Sequence, residues 1–346
     1  MNKQTDFEGT MHLLRRLEEE YLTHALEEAR QPHPDGLPHL ESADYHLDAF
    51  YFARKLRHFC IMLDYQKFSD LQVDINLPEG FLGRVKSSPC RKEPAVKAYF
   101  LAAQMLLNPK AGKHYRSLKS YLHDFGHRFE PAERRILYSL LKNYCIETKI
   151  NRGKTAYNEE LLFIYQTMAE EGLLLQNGQL DAQDYKNIVS VALRVGDFDW
   201  AEKFIQTYSD KLPIDNRDNI ILYNSALLQF HQGNFEKVVE QLREVETENP
   251  TYALGGKLLL LKAYYELQDD LVLTPLRDSF RLYLKQSSSL EPRLKERYLN
   301  TLRFVEKLGA LTPGDKKAAK KLRKKVKKTR QVAERSWILE KLDEAV

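Results

Sequence analysis

The stretches Tyr185–Pro213 (YKNIVSVALRVGDFDWAEKFIQTYSDKLP) and Leu222–Pro250 (LYNSALLQFHQGNFEKVVEQLREVETENP) share one layout. Each reads as an apolar helix, a Gly-Asp-Phe or Gly-Asn-Phe turn, a second helix and a proline. Within each hairpin the small residues stand twelve apart, Val189 to Ala201 and Ala226 to Val238, and Pro213 and Pro250 follow after another twelve. The spacing has a physical reason. Small side chains let two helices approach closely, glycine accepts the tight turn, and proline ends the second helix. The two turns are thirty-seven residues apart, the range of a stacked two-helix repeat, which makes the chain a binding surface in expectation.

Outward from this pair, apolar residues recur at three and four positions through most of the chain, and alternation of period two is nearly absent. The pattern predicts thirteen to fifteen helices. In the first half they run over Glu8–Arg30, Ala43–Gln66, Glu79–Ser87, Pro94–Leu107, His114–Arg128 and Pro131–Asn151. In the second they run over Asn158–Gly172, Ala182–Val195, Trp200–Asp210, Arg217–Gln232, Phe235–Glu248, Tyr252–Leu267 and Pro275–Gln286. Two more follow, Pro292–Leu308 and Pro313–Glu344. Thr274-Pro275 and Thr312-Pro313 read as starts, a capping hydroxyl ahead of a first-turn proline. The stretch QPHPDGLPHL, Gln31 to Leu40, reads as non-helical. Asn177-Gly178 has the composition of a hairpin turn, but helical patterns on both sides favour a helix C-cap with a loop.

The two units fit the tetratricopeptide pattern of a bulky residue, a Leu-small pair, a turn, Ala-x-x-x-Phe and Pro. Tyr185, Ile188-Val189, Gly196-Asp197-Phe198, Ala201, Ile205 and Pro213 fill it in the first unit. Leu222, Ser225-Ala226, Gly233-Asn234-Phe235, Val238, Leu242 and Pro250 fill it in the second. Residues 260–280 resemble a degraded third unit, its second helix displaced three residues by Pro275. The chain therefore resembles tetratricopeptide proteins over 185–286, and as a whole it is similar to a group of bacterial all-helical proteins. Ala192 and Gln229 depart from the pattern's tyrosine, and thirty-seven exceeds its usual spacing of thirty-four.

The resemblance implies an all-α solenoid of stacked antiparallel hairpins, a right-handed superhelix in which the first helix of each hairpin lines a concave groove. Its groove candidates are Lys186, Asn187, Ser190 and Arg194, then Tyr223, Asn224, Leu227, Phe230 and His231. Asn187 and Asn224 stand where some family members place the asparagines of a carboxylate clamp, whereas Gln183, Gly255 and Leu259 replace its cations. The organisation expected is one continuous solenoid: degenerate hairpins over 1–152, repeats over 153–310 and a basic capping helix over 311–346.

Composition is that of an ordinary globular chain, 43% hydrophobic and 29% charged, with 15 Gly and 13 Pro in 346 residues, so breakers are few. The net charge of +4 conceals an asymmetry. Asp315–Arg330, DKKAAKKLRKKVKKTR, carries ten cations and one acid, which leaves the other 330 residues at a net −5. Lys316, Lys317, Lys320, Lys321, Lys324, Lys325, Lys327, Lys328 and Arg330 are the candidate polyanion contacts, the electrostatic footprint of nucleic-acid or ribosome binding. Ala319, Leu322, Val326, Ala333 and Trp337 follow helical spacing, which argues for a packed face under solvated lysines.

Cys60, Cys90 and Cys145 are odd in number and form no C-x-x-C pair, which fits a reducing compartment. No apolar run approaches the roughly 20 residues of a membrane span and none opens the chain, so a cytoplasmic protein is expected. His123-Asp124-Phe125-Gly126-His127 departs from the zinc-protease H-E-x-x-H motif in its shorter acid and its glycine. Lys110–His114 lacks the first glycine and the hydroxyl of a phosphate loop. No Gly-x-Ser-x-Gly elbow or Gly-x-Gly-x-x-Gly fingerprint occurs. The expectation is a non-catalytic scaffold without cofactor or metal, holding an unidentified protein or peptide.

Overall fold

The computed structural model describes residues 7–30, 36–68, 74–243, 250–288, 290–312 and 314–345, and among them the chain forms sixteen α-helices and no strand. It divides into two compact units, Met1–Leu180 and Asp181–Val346. No described helix is long and apolar enough to cross a membrane.

The first unit holds α1 (Thr10–Arg30), α2 (Pro38–Phe68), α3 (Phe81–Ser87), α4 (Pro94–Leu107), α5 (Gly112–Phe125), α6 (Pro131–Asn143) and α7 (Tyr157–Glu170). Its centre is α4, packed on α2 and α5. Ala95, Ala98, Ala102 and Ala103 are fully buried there and bring the neighbouring backbones close, while Tyr99 fills the remaining space. Buried Glu133 on α6 ties the unit together. Its Oε2 accepts the Thr10 amide at 2.9 Å and its Oε1 accepts the Thr10 hydroxyl. A carboxylate there satisfies an orphan donor and complements the positive end of α1. A Cβ at Gly9 would push that carboxylate away from Thr10.

The second unit holds α8 (Ala182–Val195), α9 (Phe198–Tyr208), α10 (Arg217–His231), α11 (Phe235–Arg243), α12 (Pro250–Glu266), α13 (Asp270–Gln286), α14 (Pro292–Gly309), α15 (Lys316–Lys328) and α16 (Arg335–Glu344). Sequential helices pair as α8 with α9, α10 with α11 and α12 with α13, and the first helices also meet one another, α8 on α10 and α10 on α12. All four small positions, Val189, Ala201, Ala226 and Val238, have no exposed surface. Gly196 (φ 89°) and Gly233 (φ 79°) take the same left-handed cap, and each following amide reaches back five residues, Asp197 to the Ala192 carbonyl and Asn234 to that of Gln229.

Several expectations are corrected. The third unit is not displaced: Gln268 (φ 56°) makes the same cap without glycine, the Asp269 amide reaches the Tyr264 carbonyl, and the Asp269 side chain caps Val272. Helix α13 thus begins at Asp270, and Pro275 lies inside it rather than at its start. Pro250 opens α12 instead of closing α11, which suits a residue whose missing N–H is idle in a first turn. Residues 244–249, the end of the expected Phe235–Glu248 helix, lie outside the described residues, as does Pro313. The single helix expected from Pro313 is two, the first capped by Asp315, whose carboxylate accepts the Ala318 amide at 2.9 Å. Pro38, His39 and Leu40 are helical, while 31–35 are not described. Asn177-Gly178 is a hairpin turn after all: both residues have positive φ, and Gln176 and Gln179 exchange hydrogen bonds of 2.8 and 3.0 Å in an isolated bridge. Helix α7 is capped by Glu171 and ended by left-handed Gly172 (φ 66°), four residues before that turn's first bond. The segment expected to continue α6 to Asn151 widens into a π turn over Tyr144–Lys149.

Candidate binding cavity

Helices α8, α10, α12 and α14 and the start of α16 line a half-open cavity of about 380 Å³. Six of the nine groove candidates line it: Lys186, Ser190, Arg194, Tyr223, Leu227 and His231. Their offsets explain the grouping. Lys186, Ser190 and Arg194 recur every fourth residue along α8, and Tyr223, Leu227 and His231 do so along α10, one face of each helix.

Three candidates sit elsewhere. Asn224 is fully buried, its Nδ2 donating to the Ile220 carbonyl at 2.8 Å, so it belongs to the core and not to a groove. One residue beyond Tyr223, it is turned about 100° onto the face of buried Ile220 and Leu228. Asn187 is rotated off the face of Lys186 in the same way and accepts a bond from Gln183 Nε2 at 2.9 Å, outside the cavity lining. Phe230 lines a neighbouring hollow of about 290 Å³.

The rest of the wall comes from residues that the repeat pattern does not mark. Gly255 and Leu259 line the cavity, and one turn further along α12 Lys262 supplies a cation. Gly255 is held to glycine by contact, since a Cβ there would stand 2.9 Å from Tyr223 Cε2 and 3.0 Å from its hydroxyl. Arg297 and Tyr298 enter from α14. Glu334 enters from the loop before α16, in a left-handed conformation (φ 49°) that costs energy for a residue with a Cβ. That loop is anchored on α14: the Thr301 hydroxyl accepts the Ala333 amide at 2.8 Å, and Asn300 Nδ2 donates to the Gln331 carbonyl at 2.9 Å. Trp337 Nε1 and Lys341 Nζ both donate to Glu266, each at 2.8 Å, and fix α16 against α12.

Electrostatically the cavity is cationic. Lys262, only 4% exposed, donates to Glu334 Oε2 at 2.8 Å and lies 4.4 Å from the Phe230 ring centroid. Burial pushes the Glu334 carboxyl up, but Lys262 first and then Arg194 and His231 outweigh it and hold the carboxyl below the usual range. Glu334 keeps 46% of its side chain accessible to solvent. Burial lowers the pKa of Lys186, whose ammonium faces the rings of Tyr223 and Tyr252 at 5.1 and 5.5 Å. Burial, with Lys262 beside it, likewise keeps His231 below its ordinary value.

The nine basic candidates of the tail are all exposed on or just after α15, whose opposite face buries Ala319, Leu322 and Val326. Arg323 is the tail cation that pairs, with Asp343 on α16. His123 lies in the last turn of α5 while His127 falls in a separate 3-10 turn over Gly126–Arg128, and both are exposed. Among the described residues no group of three or more His, Cys, Asp or Glu side chains could hold a metal ion. The three thiols are buried and free. No protein-family model, curated protein or solved structure matches the chain.

Proposed function

We propose that the second unit is a non-catalytic binding module, a tetratricopeptide-like stack of hairpins whose concave side receives a segment of a partner protein. One observation carries this reading: six of the nine candidates that the resemblance assigned to two helices come together in one cavity. The contacts of α8 with α10 and of α10 with α12 support a stack in which first helices form one continuous wall. Such a wall is rigid before binding, so the partner alone loses conformational freedom on docking. The test reverses two charges together, Lys186→Glu with Arg194→Glu. Capture of the partner from the native host should fall at least about tenfold, the loss expected from one charge-assisted contact. Unchanged capture by the folded variant defeats the assignment.

A second reading rests on α15. Nine exposed cations on or beside one helix, none with an acidic partner among the described residues, form a surface suited to a phosphate backbone. It requires RNA or DNA association that weakens steeply with salt and is lost when Lys316–Arg330 is neutralised. Association that survives neutralisation rules it out.

A further inference from the structure

The charges of the cavity do not balance. Glu334 is the one carboxylate among its lining residues, and Lys262 already holds it. Lys186, Arg194 and Arg297 line the same space, and among the described residues none of the three forms an ion pair or donates a side-chain hydrogen bond. The hydroxyls of Tyr223 and Tyr298 likewise make no hydrogen bond there, although Tyr223 is only 7% exposed. The adjoining hollow is built differently. Its two lysines, Lys262 and Lys341, are both paired, to Glu334 and Glu266. Cations without an ion pair thus distinguish this cavity from the hollow beside it.

Three cations without an ion pair, Lys186 half-buried and Arg194 and Arg297 exposed, gather with two idle hydroxyls around one half-open cavity, and a cleft lined by one sign of charge concentrates its field on an anion. We propose that the cavity takes a phosphate monoester as the anchoring group of its ligand. A carboxylate brings one charge and two oxygens, too few for two guanidinium forks, an ammonium and two phenols. A phosphate monoester brings close to two negative charges and three terminal oxygens, and guanidinium groups meet it in pairs of parallel bonds. The leucines of α12 that share the lining, Leu254 and Leu258, offer an apolar wall to the ester's organic part. At about 380 Å³ the space suits a phosphorylated small molecule or one phosphorylated side chain.

This inference rests on the reading of the cavity as the binding surface, and one experiment separates the two. Titration calorimetry of the full chain at constant ionic strength compares phenyl phosphate, a phosphoserine tripeptide, its unphosphorylated form and benzenesulfonate, a monoanion. The phosphate probes should bind at least about tenfold more tightly than benzenesulfonate, the difference expected from one further charge-assisted bond. Arg194→Gln with Arg297→Gln should remove that preference, and Lys186→Met alone should reduce it. Should the double variant unfold, the single variant decides. Preference for the phosphoserine peptide over phenyl phosphate identifies a modified partner chain as the source; the reverse identifies a free metabolite. No heat with any phosphate probe, equal affinity for benzenesulfonate, or binding indifferent to Lys186→Met overturns the proposal. Binding of the unphosphorylated peptide alone overturns it too, while leaving the cavity's role as a peptide surface intact.

Discussion

The two units use charge in opposite ways. In the first, the carboxylate of Glu133 is 7% exposed and both its oxygens accept from Thr10. In the second, Lys186, Arg194 and Arg297 enter a cavity without an ion pair or hydrogen bond of their own. A buried charge with every partner inside the chain serves the fold; cations gathered without ion pairs around one accessible cavity point to a ligand. The C-terminal helices mark the border between these uses, because Glu334 and Glu266 neutralise Lys262 and Lys341 and stop there.

The largest expected effect is on the structural side of this contrast. Glu133→Ala leaves the Thr10 donors unpaired and the start of α1 uncapped, and should destabilise the first unit by about 3 kcal/mol, read from urea unfolding. Binding in the second unit should not change. A loss below about 1 kcal/mol would erase the distinction drawn for Glu133. Gly255→Ala comes next. Its Cβ would press on Tyr223, whose ring also packs edge-on against Tyr252 at 5.4 Å, so about 1–2 kcal/mol of overpacking is expected, with a reshaped cavity.

Smaller still are the caps of the repeats. Gln268→Gly should stabilise the chain by about 1 kcal/mol by relieving a left-handed residue, and Gly196→Ala should cost about as much, both read as shifts of the urea midpoint. The pH response follows from His231, which faces Arg194 on α8, Lys262 on α12 and Glu334 before α16. Its folded pKa is below 6.5, so between that value and 6.5 the unfolded chain binds more protons and stability rises with pH. Stability is fully present above 6.5 and declines as pH falls through that window. His231→Gln should flatten the slope, and anion binding near pH 6 should take up protons. The least effect is expected from Lys320→Gln, Lys321→Gln, Lys324→Gln and Lys325→Gln combined, within about 0.5 kcal/mol in thermal unfolding, because these side chains are solvated.

Much of the helical plan was legible because it is local. Pro94–Leu107 and Ala182–Val195 have the boundaries read from their sequence, the first opened by proline, the second ended by glycine. Gly and Pro are misleading guides in the third repeat: Gln268 performs the turn without glycine, and Pro275 is tolerated inside α13 once Asp269 has set the start. The tail was read as one helix because its apolar stripe continues in register, while the break comes from a loop fixed on Thr301 and Asn300 of another helix. In the cavity, the resemblance pointed to α8 and α10, while helical register could have set Asn187 and Asn224 aside and found Lys262, seven residues after Gly255 on the same face. Arg297, Tyr298 and Glu334 arrive through the return of α14 and α16, which no local pattern encodes.

The most direct test of the cavity as the working surface is site-specific photo-crosslinking in the native host. A photoreactive residue replaces either Ser190, inside the cavity, or Lys324, on the exposed face of α15. The structure predicts a discrete adduct from position 190 that disappears when Lys186→Glu and Arg194→Glu are added, with none from position 324. An adduct from position 324 alone, or one at 190 indifferent to those charges, would contradict the assignment of the cavity as the binding site.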